Sequence, residues 1–307
     1  MTFSRRDFVK GTSFALAAAA FAENAKPQRL PIAFSTLGCP EWDLPKILNF
    51  AEQHGFAAIE LRGLQGNLDL PSHPAFAPDK IESTKRDFAA HNIKIACVSS
   101  SARMGEADAK KHDQEMSDGR RFVDLASALG APYVRVFGDG TVAEKNAPPS
   151  DDLKARVATG LRELGTYAGP KNVTVILESH DNFTASATLM DVLRRANSPH
   201  AALLWDAHHT FATAKEDPET TVKQLGKWIR HTHLKDSIPA GDDRKYVLTG
   251  RGDVPIRRQI AALQSIGYKG YYCFEWEKVW HPDLEAPEIA IADYAKVVPG
   301  YLTRARH

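Results

Sequence analysis

The chain has 307 residues, with 39 Lys and Arg against 38 Asp and Glu and a formal net charge of +1. So even a balance lacks the basic footprint of a nucleic-acid binder, and the length suits one large α/β domain with a substantial core. The three cysteines, Cys39, Cys97 and Cys273, are odd in number and two lie inside apolar runs, which argues against a disulfide framework.

The first segment reads separately from the rest. "SRRDFVK" (residues 4–10) is followed by the weakly apolar "GTSFALAAAAFA". The Arg5–Arg6 pair, the weak apolar core and Ala20-Phe21-Ala22 as a cleavage site stand in the order of a twin-arginine export signal. The apolar run is too short to span a bilayer. The expectation is a signal peptide over residues 1–22 and a folded domain over 23–307. The mature protein would reach the periplasm without stable membrane association. This pathway carries proteins that are already folded.

After residue 30, short apolar runs alternate with helical-period segments. The strand candidates are "PIAFST" (31–36), "AAIELR" (57–62), "IKIACVSS" (93–100), "PYVRVFG" (132–138), "VTVILES" (173–179), "AALLWDA" (201–207), "HTHLKD" (231–236) and "YYCFEWE" (271–277). Amphipathic segments such as "LPKILNFAEQHG" and "DLKARVATGLRELGTYAG" lie between them, many ending in Gly or Asn as helices tend to. Strand alternating with helix predicts parallel strands, and eight repeats predict a closed (β/α)8 barrel in a single domain.

In such a barrel the working site lies at the C-terminal strand ends. There the sequence places Glu178 and His180 on strand five, and Asp206, His208 and His209 on strand six. Strand seven carries His231, His233, Lys235 and Asp236, and strand eight carries Glu275 and Glu277. Glu178, Asp206, His233 and Glu275 recur about once per strand–helix unit, so they can converge. Taken singly, each is an ordinary strand-end polar group. Three carboxylates brought together would repel and raise one another's pKa, and a divalent cation resolves that. A set of two Glu, one Asp and one His favours Mn²⁺ first, with Mg²⁺, Co²⁺ or Zn²⁺ as alternatives.

Strand alternation puts His231, His233 and Lys235 on one face, and Cys273, Glu275 and Glu277 on another. His233 is the expected ligand, because it matches Asp206 in depth. His231 is expected to be a deeper, hydrogen-bonded core residue, and Asp236 a supporting group or turn cap. Lys235 is either an oxyanion partner or the mate of Asp236 or Glu277. Arg62, at the end of strand two, and Arg251, in "TGRGD", are candidate binders of outer hydroxyls or a carboxylate, against a surface-pairing alternative. Trp42, Trp276 and Trp280 are candidates for stacking on a ligand ring, or for packing.

At these residues the chain resembles the sugar phosphate isomerase/epimerase superfamily, the xylose isomerase-like TIM barrels. The resemblance runs from "FSTLGCPEWDL" and "GFAAIELRG" through "VILESH", "LLWDAHHT" and "HTHLKD" to "RGDVPIRRQIAALQSIGYKGYYCFEWEKVWHPDL". It implies one divalent metal on Glu178, Asp206, His233 and Glu275, with Glu178 and Glu275 also moving protons. It implies that His209 holds a substrate oxygen, as the matching position does in ketose epimerases of this group. Endonuclease IV, of the same superfamily, binds three zinc ions with extra histidines at strands two and three. Here those ends read "IELRG" and "CVSSS", which points away from DNA repair and from nucleic-acid partners.

The export signal and the lack of a Gly-rich phosphate cradle point to an unphosphorylated sugar or keto-sugar. The expected reaction is isomerisation or epimerisation by proton abstraction next to a carbonyl, through an enediolate. His180, His209 and Lys235 would hold substrate oxygens. Two alternatives stay open: a lyase that eliminates a leaving group from keto-glycosides by the same enolate, and a non-catalytic periplasmic sugar-binding or partner protein. A homodimer through the rim loops is one assembly open to such a barrel.

Overall fold

The computed structural model describes residues 29–139, 147–241 and 243–303. The expected signal, residues 1–22, lies outside them. The described residues from Pro31 onwards belong to one compact unit. Eight parallel strands close into a barrel: β1 (Ile32–Ser35), β2 (Ala58–Leu61), β3 (Lys94–Arg103), β4 (Tyr133–Phe137), β5 (Thr174–Glu178), β6 (Ala201–Asp206), β7 (Ile229–Leu234) and β10 (Tyr272–Phe274). Their order round the barrel is β1-β10-β7-β6-β5-β4-β3-β2, so the predicted (β/α)8 architecture is what the chain adopts.

The outer layer is made of α1 (Leu44–Gln53), α2 (Ile81–Ala90), α3 (Ala109–Leu129), α4 (Asp151–Ala168), α5 (Ser186–Ala196), α7 (Pro218–Leu225), α8 (Ile256–Ser265) and α9 (Pro287–Thr303). Their ends follow local chemistry. Asp43 caps α1 by accepting from the backbone N–H of Lys46, Asp108 caps α3 at Lys111, and Ser150 caps α4 at Leu153. These bonds satisfy N–H groups with no partner in the first helical turn. Gly130 closes α3 with a left-handed φ of 75°, where a side chain would be strained.

The barrel interior is layered by size and polarity. Ala33, Ala58, Ala96 and Cys273 form one small-residue cluster, and Cys97, Ile176, Ala202 and Leu204 another. Two residues further along the same strands come Ser35, Glu60, Glu178, Asp206 and Glu275. Side chains two apart share a face, so the apolar clusters are the floor on which the polar residues stand.

Two elements depart from the sequence reading. Residues 207–212 form a short helix, α6 (Ala207–Ala212), directly after β6. The Gly- and Asp-rich stretch after "HTHLKD" is an antiparallel hairpin, β8 (Asp236–Ala240) with β9 (Asp243–Val247). A single motif of six residues thus ends one barrel strand and starts a hairpin strand. Asp236 makes the break. Its buried carboxylate accepts from the backbone N–H groups of Ser237 (2.9 Å), Gly250 (2.8 Å), Gly252 (2.9 Å) and Val254 (3.3 Å). It therefore ties the loop after the hairpin to the strand end, in keeping with the support role expected of it. A Cβ at Gly252 would overlap this carboxylate and the Ser237 carbonyl.

Asp236→Asn would replace one acceptor oxygen with a donor facing N–H groups. It should cost about 1–3 kcal/mol, as buried donors losing their partner do. Urea unfolding of the two proteins checks this, with Gly252→Ala expected to destabilise in the same direction.

Candidate metal centre and substrate pocket

Glu178 ends β5, Asp206 ends β6, His233 lies in β7 and Glu275 follows β10. One ligand atom from each falls within 4.8 Å of the others, and none of the four residues is more than 4% exposed. His233 Nδ1 lies 3.0 Å from Glu178 Oε1, 3.1 Å from Glu275 Oε1 and 4.0 Å from Asp206 Oδ2. Asp206 is also the cap of α6. Its Oδ1 accepts from the N–H groups of His208 (2.9 Å) and His209 (3.2 Å), which leaves Oδ2 to the cluster.

The surrounding charges are close and buried. Lys235 Nζ meets Asp206 Oδ2 (2.6 Å), Glu277 Oε1 (2.8 Å) and Glu275 Oε2. Arg135 Nη1 lies 3.2 Å from Glu178 Oε2, and its guanidinium sits 4.0 Å from the Phe137 ring. Glu60 Oε2 takes His231 Nε2 at 2.8 Å and His233 Nε2 at 2.7 Å, and Ser35 donates to Oε1 at 2.9 Å. Arg62 donates from Nη2 to Ser101 Oγ (2.9 Å), while its buried Nη1 has no hydrogen-bond partner.

Five carboxylates (Glu60, Glu178, Asp206, Glu275 and Glu277) thus face three cations, Arg62, Arg135 and Lys235, with the imidazoles taken as neutral. The protein moderates the deficit with protons. Burial alone would lower the His233 pKa, but Glu275, Glu60 and Glu178 outweigh it and hold it well above 6.5. Burial pushes Asp206 up to about 6 against the pull of Lys235. Burial also opposes ionisation of Glu275, yet His233 and Lys235 hold it well below the usual range. A divalent cation would supply the two missing charges, and an oxygen-rich set with one imidazole suits a hard or borderline ion. The residues present therefore fit a divalent metal.

Two other groups of ligand atoms come together among the described residues: Asp206, His208 and His209, and Glu60, His231 and Cys273. In the first, His208 Nε2 lies 2.8 Å from Ser237 Oγ. In the second, burial drives the Cys273 thiol well above its ordinary pKa, which keeps it protonated and a poor ligand.

The remaining sequence candidates divide. His180 and His209 meet edge to face at 4.6 Å, and His209 Nε2 lies 3.4 Å from Asp206 Oδ2. Both line a cavity of about 660 Å³ with His208, Arg244, Tyr246 and His281. Arg62 is buried among the site carboxylates. His231 is buried and hydrogen-bonded. Lys235 pairs with Glu277 but not with Asp236, and its three donors are already occupied by carboxylates. Arg251 does not join the site: its side chain is 63% exposed and pairs with Asp293 of α9 at 3.3 Å. Trp42 packs on Phe50 under Lys46. Trp276 is buried and donates to the Glu285 carbonyl at 3.1 Å. Trp280 is 52% exposed on a cleft of about 540 Å³.

Glu60 and Arg135 escaped the sequence reading, which looked only at strand ends. Each is a charge with apolar neighbours on both sides in a buried strand. A charge so placed must have a partner, and that was the available signal.

Comparison with known proteins agrees with this architecture. An inosose isomerase of Bacillus licheniformis is 23% identical over 254 residues, covering 80% of this chain and 88% of that protein. An L-ribulose 3-epimerase structure superposes with a TM-score of 0.74 at 18% identity, over 90% of this chain and 95% of that one. The IOLI protein, solved with a bound zinc atom, gives 0.73 at 20% identity, over 90% and 99%. Residues 48–295 match the family model described as xylose isomerase-like TIM barrel, and the chain belongs to that family.

Proposed function

We propose that the protein is a divalent-metal-dependent isomerase or epimerase of an unphosphorylated sugar or keto-sugar, with Mn²⁺ the preferred ion. The observation that carries this reading is the convergence of Glu178, Asp206, His233 and Glu275 within 4.8 Å, buried at the mouth of the barrel. Similarity to an inosose isomerase and to an L-ribulose 3-epimerase supports it.

Bound there, a divalent cation would polarise a carbonyl and its neighbouring hydroxyl and acidify the C–H between them. Glu178 and Glu275 come from β5 and β10, which stand on either side of β6 and β7. They flank the Asp206–His233 pair from opposite sides. Arg135 holds Glu178, and Lys235 holds Glu275, so both are ionised and ready to accept a proton. One removes the proton from carbon, and the other returns one. Return on the opposite face epimerises, and return at the adjacent carbon isomerises. His180 and His209 line the cavity above and would bind substrate oxygens. The unpartnered Nη1 of Arg62 is a donor for an outer hydroxyl or carboxylate. We further infer that residues 1–22 direct export by the twin-arginine pathway to the periplasm.

With Mn²⁺ and a keto-sugar substrate in deuterated water, deuterium should appear at one carbon next to the carbonyl. Glu178→Gln should slow that exchange by about 10²–10⁴-fold, the usual range for a lost general base. NMR of the product reads both, and undiminished exchange in the variant would sink the assigned role.

An ion needs Asp206 as carboxylate and His233 unprotonated, whereas both hold protons more firmly than usual in the metal-free protein. Loading should therefore release protons, and affinity should fall as the pH is lowered, down through about pH 6 where Asp206 takes up its proton. Calorimetry in buffers of different ionisation enthalpy measures the release. Mass spectrometry of the exported protein should find Glu23 as the first residue. Replacing Arg5 and Arg6 by Lys should keep the uncleaved chain in the cytoplasm.

A further inference from the structure

Glu60 is not one of the four clustered side chains, but it touches one of them. Its Oε2 accepts from His233 Nε2 at 2.7 Å and from His231 Nε2 at 2.8 Å, while Oε1 accepts from Ser35 Oγ at 2.9 Å. Glu60 and His233 are fully buried, and His231 and Ser35 are each 1% exposed. Solvent therefore cannot substitute for any of these partners.

The backbone is irregular at the places that make this contact. Pairing of β2 with β3 slips between Ile59 and Glu60, so Glu60 lies opposite Cys97 and Ala96 is skipped. Pairing of β6 with β7 slips so that Leu203 faces Ile229 and Leu204 faces His231, which skips Arg230. Such bulges re-aim side chains. On β7 the skipped Arg230 is exposed, while His231 and His233 are buried against Glu60.

A neutral imidazole donates from one nitrogen and offers a lone pair on the other. A carboxylate accepts and does not donate. Both nitrogens of His233 face carboxylates, so without a cation either can donate. A cation among Glu178, Asp206 and Glu275 would take the Nδ1 lone pair and leave the hydrogen on Nε2, towards Glu60. Nδ1 is the atom that points at Glu178, Glu275 and Asp206.

We propose that Glu60 is a positioning residue: through its hydrogen bond to Nε2 it fixes the tautomer and ring orientation of His233, so that Nδ1 is the nitrogen given to the metal. His231 and Ser35 hold Glu60 in turn. The proposal rests on the metal reading above, and it makes Glu60 a partner of a ligand rather than a ligand itself. Carboxylate partners of ligating histidines are worth about 10–100-fold in metal affinity.

The test uses the full mature chain. Titration with Mn²⁺ should give one ion per chain. Glu60→Ala should bind it about 10–100-fold more weakly. Glu60→Gln keeps an acceptor oxygen in place and should recover part of that loss. In the unmutated, Zn²⁺-loaded protein, ¹⁵N–¹H spectra should show His233 bonded to hydrogen at Nε2 and to the ion at Nδ1. The His231→Gln spectrum assigns the two rings. The spectral readout does not depend on any Glu60 variant folding.

Unchanged affinity in Glu60→Ala, no recovery in Glu60→Gln, or hydrogen on Nδ1 would each overturn the proposal. So would two ions per chain with Glu60 as a ligand. If the unmutated chain binds no ion, the metal reading itself has failed, a result distinct from these.

Discussion

The structure depends on the electrostatics of a barrel mouth that buries more negative charge than positive. Five carboxylates converge there with Arg62, Arg135 and Lys235 as permanent counter-ions. Burying an unpaired carboxylate costs several kcal/mol even after relaxation, so every one of the five has a specific mate. Glu178 has Arg135, Asp206 and Glu275 share Lys235, Glu277 also meets Lys235, and Glu60 has two imidazoles and a hydroxyl. The pairs cross from strand to strand, so the charges also tie the open end of the barrel together. With His233 unprotonated, as a ligand must be, two charges are still missing, and they are the strongest physical reason for reading the cluster as a cation site.

The layers beneath make this possible. Small residues at Ala33, Ala58, Ala96 and Cys273 let the strands approach closely at one level, and larger ones at Ile176 and Leu204 fill another. The two-residue period then lifts the next side chain on each strand into the mouth. Because the floor is apolar and closed, the polar groups above it can only turn to one another or to the cavity. That is why a short stretch such as "HTHLKD" serves three ends. His231 belongs to the support beneath, His233 to the cluster, and Asp236 to the hairpin loop that overhangs it.

The barrel was legible because parallel strands buried on both faces leave continuous apolar runs, and their alternation with amphipathic helices is a strong signal. The four-residue cluster was legible for a related reason: Glu178, Asp206, His233 and Glu275 each break an apolar run where the strand finishes. What the sequence hid was relative position across strands. Glu60 and Arg135 lie mid-run, and their partners are on other strands, at His231, His233 and Glu178. Pairing slips that skip Ala96 and Arg230 change which residues stand opposite Glu60 and Leu204, and no local pattern announces a slip. Arg251 shows the reverse case. It sits in a loop anchored to the site by Asp236, yet the loop turns its side chain outwards to α9. The hairpin β8–β9 was hidden because Gly241 and its polar neighbours read as a loop, although the strands on either side pair with each other.

The two carboxylates proposed to move protons are alike in burial but not in company. Glu178 is held by Arg135, whose guanidinium keeps its charge at any pH the protein meets and is fixed against the Phe137 ring. Glu275 is held by Lys235, a flexible ammonium divided among three carboxylates. Both also meet His233 Nδ1, at 3.0 Å from Glu178 and 3.1 Å from Glu275. Against burial, His233 and Lys235 together hold Glu275 well below the usual carboxylate range, while Arg135 and His233 lower Glu178. The barrel therefore presents two ionised carboxylates with different counter-ions on either side of the Asp206–His233 pair, and that asymmetry arises from which strands carry Arg135 and Lys235, before any substrate is bound.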